Sequence, residues 1–258
     1  MNDSQATYTP PRDCGLDLAY ADNSLLVANK PAGLLSVPGR GADKSDSLAT
    51  RVQQKFPDAL IVHRLDMATS GLLLFARNAE MQCRLSQLFR ERVVEKRYVA
   101  VVLGRMISDT GEINLPLISD WPNRPRQKID FAIGKPSLTR YRVLGYENHT
   151  CHSISAQSAN ADETTGKTSN PSKGHILPAG YHGEREFEAC RVELEPVTGR
   201  THQLRVHMAA IGYPILGDTL YGGVVNGKAE RLLLHAKMLS FVHPLNAKPL
   251  TLECEPPF

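Results

Sequence analysis

The chain has 258 residues, 41% of them hydrophobic, 22% charged and 6% aromatic, a balance that builds a globular core and excludes a mostly disordered polymer. Lys and Arg exceed Asp and Glu by 30 to 27, so a net charge of +3 leaves a nucleic-acid partner open and shifts attention to where the basic residues sit. No apolar run approaches the roughly 18 residues that span a bilayer, and Met1–Pro11 lacks a signal-peptide core; five scattered cysteines without a C-x-x-C pair argue against a disulfide scaffold or zinc ribbon and point to a reducing cytoplasm.

Residues 1–20 read as a tail leading into a first strand. Leu25-Leu26-Val27-Ala28 predicts a strand, closed by a turn at Lys30-Pro31 and Gly33. Gly39 and Gly41 frame a flexible loop. Ser45 to Phe56 predicts a helix, with Leu48, Val52 and Phe56 on one face and a stop at Pro57. Leu60-Ile61-Val62 and Leu72-Leu73-Leu74-Phe75-Ala76 are short enough for buried strands and enclose the mostly polar His63–Gly71. Asn78 caps a second helix, whose apolar face is Met81, Leu85, Leu88 and Phe89. Tyr98–Leu103 predicts a buried strand. Pro116, Pro122 and Pro125 argue against regular structure over Leu115–Arg126.

Tyr141–Tyr146 predicts a further strand, and residues 148–185, rich in Ser, Asn, Thr and Gly, read as a mobile polar surface insertion before the next. Cys190, Val192 and Leu194 alternate with Arg191, Glu193 and Glu195, the pattern of a half-buried strand. Gly199 turns the chain, and Thr201 is placed as the cap of a helix carrying Leu204, Met208 and Ile211, ended by Gly212 and Pro214. Leu232-Leu233-Leu234 is another buried run. Strands outnumber helices without strict βαβ alternation, so the expected fold is α+β on a mixed or antiparallel sheet.

Four stretches carry candidate chemistry. Asp66 lies between two apolar strands, where an unpaired carboxylate is costly. It is either a turn aspartate bonding backbone N–H groups or a functional carboxylate with Arg64 two residues away. Thr198–His207 holds Arg200, His202, Gln203, Arg205 and His207 near a helix start; this is either an anion site or a solvated basic face. Lys96-Arg97-Tyr98 opens a strand, where Tyr98 reads equally well as a core aromatic. Trp121, the one tryptophan, lies beside Arg124, Arg126 and Lys128, and cations interleaved with a ring suit phosphates and unpaired bases. No metal site is expected: His202 and His207 do not share a helix face, and His149-Thr150-Cys151-His152 lacks a second ligand pair. Walker A, G-x-G-x-x-G and G-x-S-x-G motifs are absent, which disfavours NTPase, dinucleotide and α/β-hydrolase chemistry.

Taken together, His63-Arg64-Leu65-Asp66 followed by Thr69-Ser70-Gly71 resembles the catalytic signature of the RluA family of pseudouridine synthases. Asn29–Gly33, Lys96–Tyr98, Gly199–His207, Pro214–Asp218 and Leu232–Ala236 match further family stretches in the same order, over about residues 20–255. The resemblance implies isomerisation of uridine in RNA, without redox change or cofactor. It implies that Asp66 is the nucleophilic or base-like carboxylate and that Arg205 pairs with it. Tyr98 would stack on the target base and could move a proton at the sugar, while Arg64 would enter the stem vacated by the flipped nucleotide. His63, Arg200, His202 and Gln203 are carried over as substrate-binding residues. Trp121 with Arg124, Arg126 and Lys128 would read the folded stem-loop, and one of Leu233 and Leu234 would line the base.

Leu34–Arg40 and Asp120–Pro125 resemble a narrower branch of the family, implying two substrates: a hairpin of 23S rRNA and the tRNA anticodon stem-loop. The organisation expected is an N-terminal tail over 1–20 and one catalytic domain over 21–258, a monomer without an S4-type domain. A single-substrate enzyme, a non-catalytic RNA-binding protein and a glycosidase releasing free uracil are the alternatives.

Overall fold

Leu25-Leu26-Val27-Ala28 and Leu72-Leu73-Leu74-Phe75-Ala76 have no solvent exposure at all. Continuous burial of this kind belongs to strands covered on both faces, and it sets the plan of the molecule. The computed structural model describes residues 8–152, 184–223 and 229–258. In chain order its elements are β1 (Leu18–Ala21), β2 (Leu25–Lys30), α1 (Leu48–Lys55), β3 (Leu60–Ile61), β4 (Ser70–Ala76), α2 (Ala79–Glu91), β5 (Glu95–Leu103), β6 (Thr110–Asn114), β7 (Leu117–Ser119), β8 (Gln127–Ile129), β9 (Leu138–His152), β10 (Glu184–Pro196), α3 (Gln203–Ala210), β11 (Leu234–Val242) and β12 (Pro249–Glu253).

Ten of the described strands form one sheet in the order β1-β2-β4-β11-β5-β10-β9-β6, with β3 beside β4 and β12 beside β11. The pairing of β4 with β11 is parallel, and its other pairings are antiparallel. The fold is therefore α+β on a mixed sheet, as the element order predicts. Helix α1 packs Leu48 and Val52 on Leu26, Ala28, Leu73 and Phe75. Helix α2 packs Met81 and Leu85 on Leu25, Val27, Leu72 and Leu74, whose side chains belong to a separate core. Alternation along β2 and β4 thus feeds two cores, and each buried leucine contributes on the order of 2 kcal/mol of transfer free energy. Helix α3 sets Leu204 and Met208 on Ala100, Val102, Val192 and Leu194.

The caps explain two helix starts. The Ser47 hydroxyl accepts from Thr50 N–H at 3.2 Å, and Asn78 Oδ1 accepts from Met81 N–H at 2.8 Å. Helix α3 differs from expectation: its cap is His202, in a left-handed conformation (φ 54°), and Thr201 lies outside it. Gln203, the first helical residue, bonds backward, with Oε1 accepting from Arg200 N–H and the Thr198 hydroxyl.

Two further expectations are corrected. Leu115–Arg126 is not irregular throughout, because β7 pairs with β8 as a separate two-stranded sheet. Its prolines flank the strand or sit in the turn, where no ladder donor is lost. The insertion expected over 148–185 begins and ends as strand: β9 and β10 pair out to His152 and Glu184, beyond the last partner of β10 on β5, Leu103. Residues 153–183 lie outside the described ones. No helix among the described residues is long and apolar enough to cross a membrane.

Candidate active site

Asp66 sits in the loop between β3 and β4, and three anchors hold that loop. The Ser36 hydroxyl donates to Leu65 C=O at 2.7 Å and accepts from Leu65 N–H at 3.1 Å. Gly33 N–H donates to Met67 C=O at 2.8 Å. The third anchor is Lys30, whose entire side chain is buried. Its ammonium donates to the carbonyls of Pro31, Leu34 and Met67 at 2.9, 2.6 and 3.0 Å. Burial pulls the Lys30 pKa down to about 7, against the opposing charge of Asp66. After the loop, Gly71 runs against the backbone of Ala236, where any Cβ would overlap its carbonyl oxygen. That approach, at a positive φ of 114°, lets β4 and β11 pair in parallel next to Asp66.

Asp66 lines a cavity of about 300 Å³ together with Arg64, Lys96, Arg200 and Arg205. It is the one carboxylate on that wall among the described residues. A cavity with four basic side chains and a single carboxylate suits a polyanion that must meet one negative group. Tyr98 and Leu234 supply apolar surface beside Asp66. Burial, with the charge of Asp66, pushes the Tyr98 hydroxyl well above its usual range, so it stays protonated.

Arg205 is held from the other side. Its Nε and Nη2 donate to Asp218 at 2.8 and 2.7 Å, and its Nη1 points to Asp66 Oδ2 at 3.5 Å. Asp218 is almost fully buried. Burial would raise its pKa, but the Arg205 hydrogen bonds and charge, with the N–H groups of Leu220 and Tyr221, bring it below the usual carboxylate range. The expected pairing of Arg205 with Asp66 is thus the weaker of its two ion pairs. The fork geometry belongs to Asp218, and one guanidinium nitrogen is left for Asp66.

His202 projects Nε2 to 3.8 Å from Asp66 Oδ2, while its Nδ1 lies 2.7 Å from the Tyr221 hydroxyl. Burial lowers its pKa, so the ring is neutral at physiological pH, although Asp66 pulls the other way. His63 lines the same cavity, stacked on Phe89 with ring centroids 4.6 Å apart. Its Nε2 accepts from Leu74 N–H at 3.1 Å, filling the edge of β4 where β3 has ended. Burial brings the His63 pKa down to about 3. Gln203 lines the cavity with its amide bonded to protein on both ends, including Leu138 C=O at 2.9 Å.

The remaining candidates lie outside the cavity wall. Leu233 is packed with Val101 and Leu216. Trp121 is 67% exposed at the turn of the β7–β8 hairpin, with the Arg124 guanidinium 3.0 Å from its ring centroid. Arg126 donates to Leu220 C=O and Lys128 approaches Asp130 at 3.9 Å. Gln127 N–H donates to the Tyr221 hydroxyl at 2.7 Å, which brings this hairpin against the segment that holds Arg205. Sequence reasoning assigned no role to Lys30, Asp218 or Tyr221. The signal available for Asp218 was a carboxylate directly after the apolar Pro214–Gly217, which requires an internal cation. No group of three or more potential metal-ligating side chains occurs among the described residues; the side chains of Cys151 and His152 lie outside them.

A family model described as RNA pseudouridylate synthase matches residues 24–210. The dual-specificity RNA pseudouridine synthase RluA of Escherichia coli (strain K12) is 42% identical over 97% of this chain and 98% of its own length. The protein of the same name from Pasteurella multocida (strain Pm70) is 42% identical over 98% of both. The solved structure of human RNA Pseudouridylate Synthase Domain Containing 1 superposes with a TM-score of 0.69 at 27% identity, over 97% of this chain and 87% of that one. Human RNA Pseudouridylate Synthase Domain Containing 4 shares the fold with a TM-score of 0.62.

Proposed function

The chain belongs to the RNA pseudouridylate synthase family, and from that premise we propose that Asp66 is the carboxylate through which it isomerises uridine in RNA. The reaction breaks the N1–C1′ bond, turns the uracil and forms a C5–C1′ bond. The proton lost from C5 is balanced by one gained at N1, so mass and oxidation state are unchanged. One observation carries the reading: a single carboxylate, Asp66, on a wall otherwise charged by Arg64, Lys96, Arg200 and Arg205. An ionised carboxylate in a partly dry cleft is equipped to act at a developing cationic sugar or at the base.

In this reading the target nucleotide leaves its stack, at a cost of about a few kcal/mol, and enters the cavity. Tyr98 and Leu234 enclose the uracil, and the exposed Arg64 takes the place left in the stem. The hairpin bearing Trp121, Arg124, Arg126 and Lys128 contacts the stem-loop outside. His63 and Gln203 brace the wall rather than grip the substrate. The two RluA relatives are named as dual-specificity enzymes, and we extend two substrates, an rRNA hairpin and a tRNA anticodon stem-loop, to this chain. We further read 21–258 as one catalytic domain working as a cytoplasmic monomer; the main sheet running from β1 to β12 supports the single domain.

Tritium release from C5-labelled uridine in both RNAs tests reaction and substrates together. Release is expected from each, and Asp66→Asn should bind RNA without releasing tritium. Full turnover by Asp66→Asn would remove Asp66 from the chemistry. Release from one RNA alone would end the two-substrate reading. Chromatography of the product distinguishes an isomer from free uracil.

A further inference from the structure

We propose that Tyr221 is a positioning residue that fixes the tautomer of His202 against Asp66 and ties that ring to the β7–β8 hairpin. The inference rests on the reading of Asp66 as the reacting carboxylate. Three distances define the chain of interactions: Gln127 N–H to the Tyr221 oxygen at 2.7 Å, that hydroxyl to His202 Nδ1 at 2.7 Å, and His202 Nε2 to Asp66 Oδ2 at 3.8 Å.

The hydrogen-bonding capacity of each group assigns the protons. The Tyr221 oxygen already accepts from Gln127, so its own O–H is free to donate to Nδ1. Burial pushes the Tyr221 pKa up, which keeps that proton in place. The imidazole proton then sits on Nε2 and faces the carboxylate. The opposite tautomer would turn a ring lone pair toward Asp66 and leave the Tyr221 proton without this acceptor. At 3.8 Å the Nε2–H is beyond direct hydrogen bonding, so it acts on Asp66 as an oriented dipole.

The groups whose charges bear on His202 are Asp66, Arg205, Asp218 and Arg64. Its left-handed backbone, φ 54°, aims the ring into this set. The Tyr221 ring also lies 5.2 Å from the Arg205 guanidinium. One side chain therefore touches both groups that approach Asp66. Because its hydroxyl is anchored on Gln127, beside Arg126 and Lys128, an RNA that settles the hairpin also settles His202.

The test compares the full chain, Tyr221→Phe, His202→Gln and the double variant by tritium release across pH. Tyr221→Phe keeps the ring over Arg205 and removes only the hydroxyl. It should lower kcat roughly three- to tenfold and leave KM for RNA within about twofold. An O–H donated to Nδ1 favours the neutral ring, so its loss raises the His202 pKa. A protonated His202 would pair with Asp66 and quench it; the acid limb of the rate profile should therefore move to higher pH. In the His202→Gln background the same substitution should change neither rate nor profile. An unchanged kcat and profile in Tyr221→Phe, or an equal fall in the His202→Gln background, overturns the proposal. Ring nitrogen shifts of His202 in the unsubstituted chain give a second measurement: a proton on Nε2 is expected, and one on Nδ1 overturns it. Asp66→Asn assayed alongside separates the two ideas. If it turns over, the reading of Asp66 falls; if it is dead while Tyr221→Phe is normal, only Tyr221 falls.

Discussion

Arg205 grips Asp218 with two nitrogens at 2.7 and 2.8 Å and leaves a third 3.5 Å from Asp66. Asp218 therefore sets how much of the guanidinium reaches Asp66. Asp218→Asn should free Arg205 to close on Asp66 and dampen it, lowering turnover tenfold or more, by order of magnitude, for a barrier change of about 1.4 kcal/mol. Removing one partner of a buried pair should also cost about 3–5 kcal/mol of stability. Turnover assays and urea unfolding check both; a variant normal in each would separate Asp218 from the site.

Lys30 predicts a stability effect that involves no surface group. Lys30→Met keeps the stem but leaves three carbonyls without their donor. Each orphaned carbonyl costs on the order of 1–3 kcal/mol when water cannot replace the donor. The urea midpoint should fall, and turnover should fall with it as the Asp66 loop loosens. An unchanged midpoint would refute the anchoring role.

His63 predicts a pH dependence of folding. Its pKa is about 3 in the folded chain against 6.5 for an ordinary histidine. Between those values the unfolded chain holds the extra proton, so stability is complete above about pH 6.5 and declines as the pH falls toward 3. Protonation also breaks the bond from Leu74 N–H. His63→Gln, which retains an acceptor, should show a shallower decline of unfolding free energy between pH 7 and pH 5. An equal slope in the variant would show that this ring does not titrate on unfolding.

The hairpin predicts a salt effect. If Arg124, Arg126 and Lys128 meet phosphates, replacing all three with Gln should flatten the dependence of log affinity on log salt by roughly 0.7–0.9 for each phosphate no longer neutralised. Trp121→Ala should weaken binding by about 1–3 kcal/mol because no ring remains to stack on a base, with the slope unchanged. A salt slope unaffected by the triple substitution would take the hairpin off the RNA.

What could be read in advance follows from how local each signal is. β2 and β4 were legible because both faces are buried, so their apolar runs are unbroken. α1 was legible through the spacing of Leu48, Val52 and Phe56 and the stop at Pro57, and α2 through its Asn78 cap and its apolar face. β7 and β8 were not, because three-residue strands flanked by proline carry no periodicity. Asp66 stood out as a carboxylate between buried strands. Asp218 and Tyr221 did not, since their partners lie 13 and 19 residues away and only the fold brings them together. Lys30 was hidden for another reason: a lysine at a strand end reads as solvated, and its three acceptors are backbone carbonyls.

The position of β11 between β4 and β5 has a consequence for biosynthesis. Asp66 precedes β4 and Tyr98 lies on β5, yet the strand that joins them starts at Leu234. Without β11, β4 and β5 share no partner, and the edge of each would be open to a stray strand. β11 fills that gap, with Ala236 against Gly71 on one side and Tyr98 on the other. The wall around Asp66, which includes Leu234, is therefore incomplete until β11 has been made.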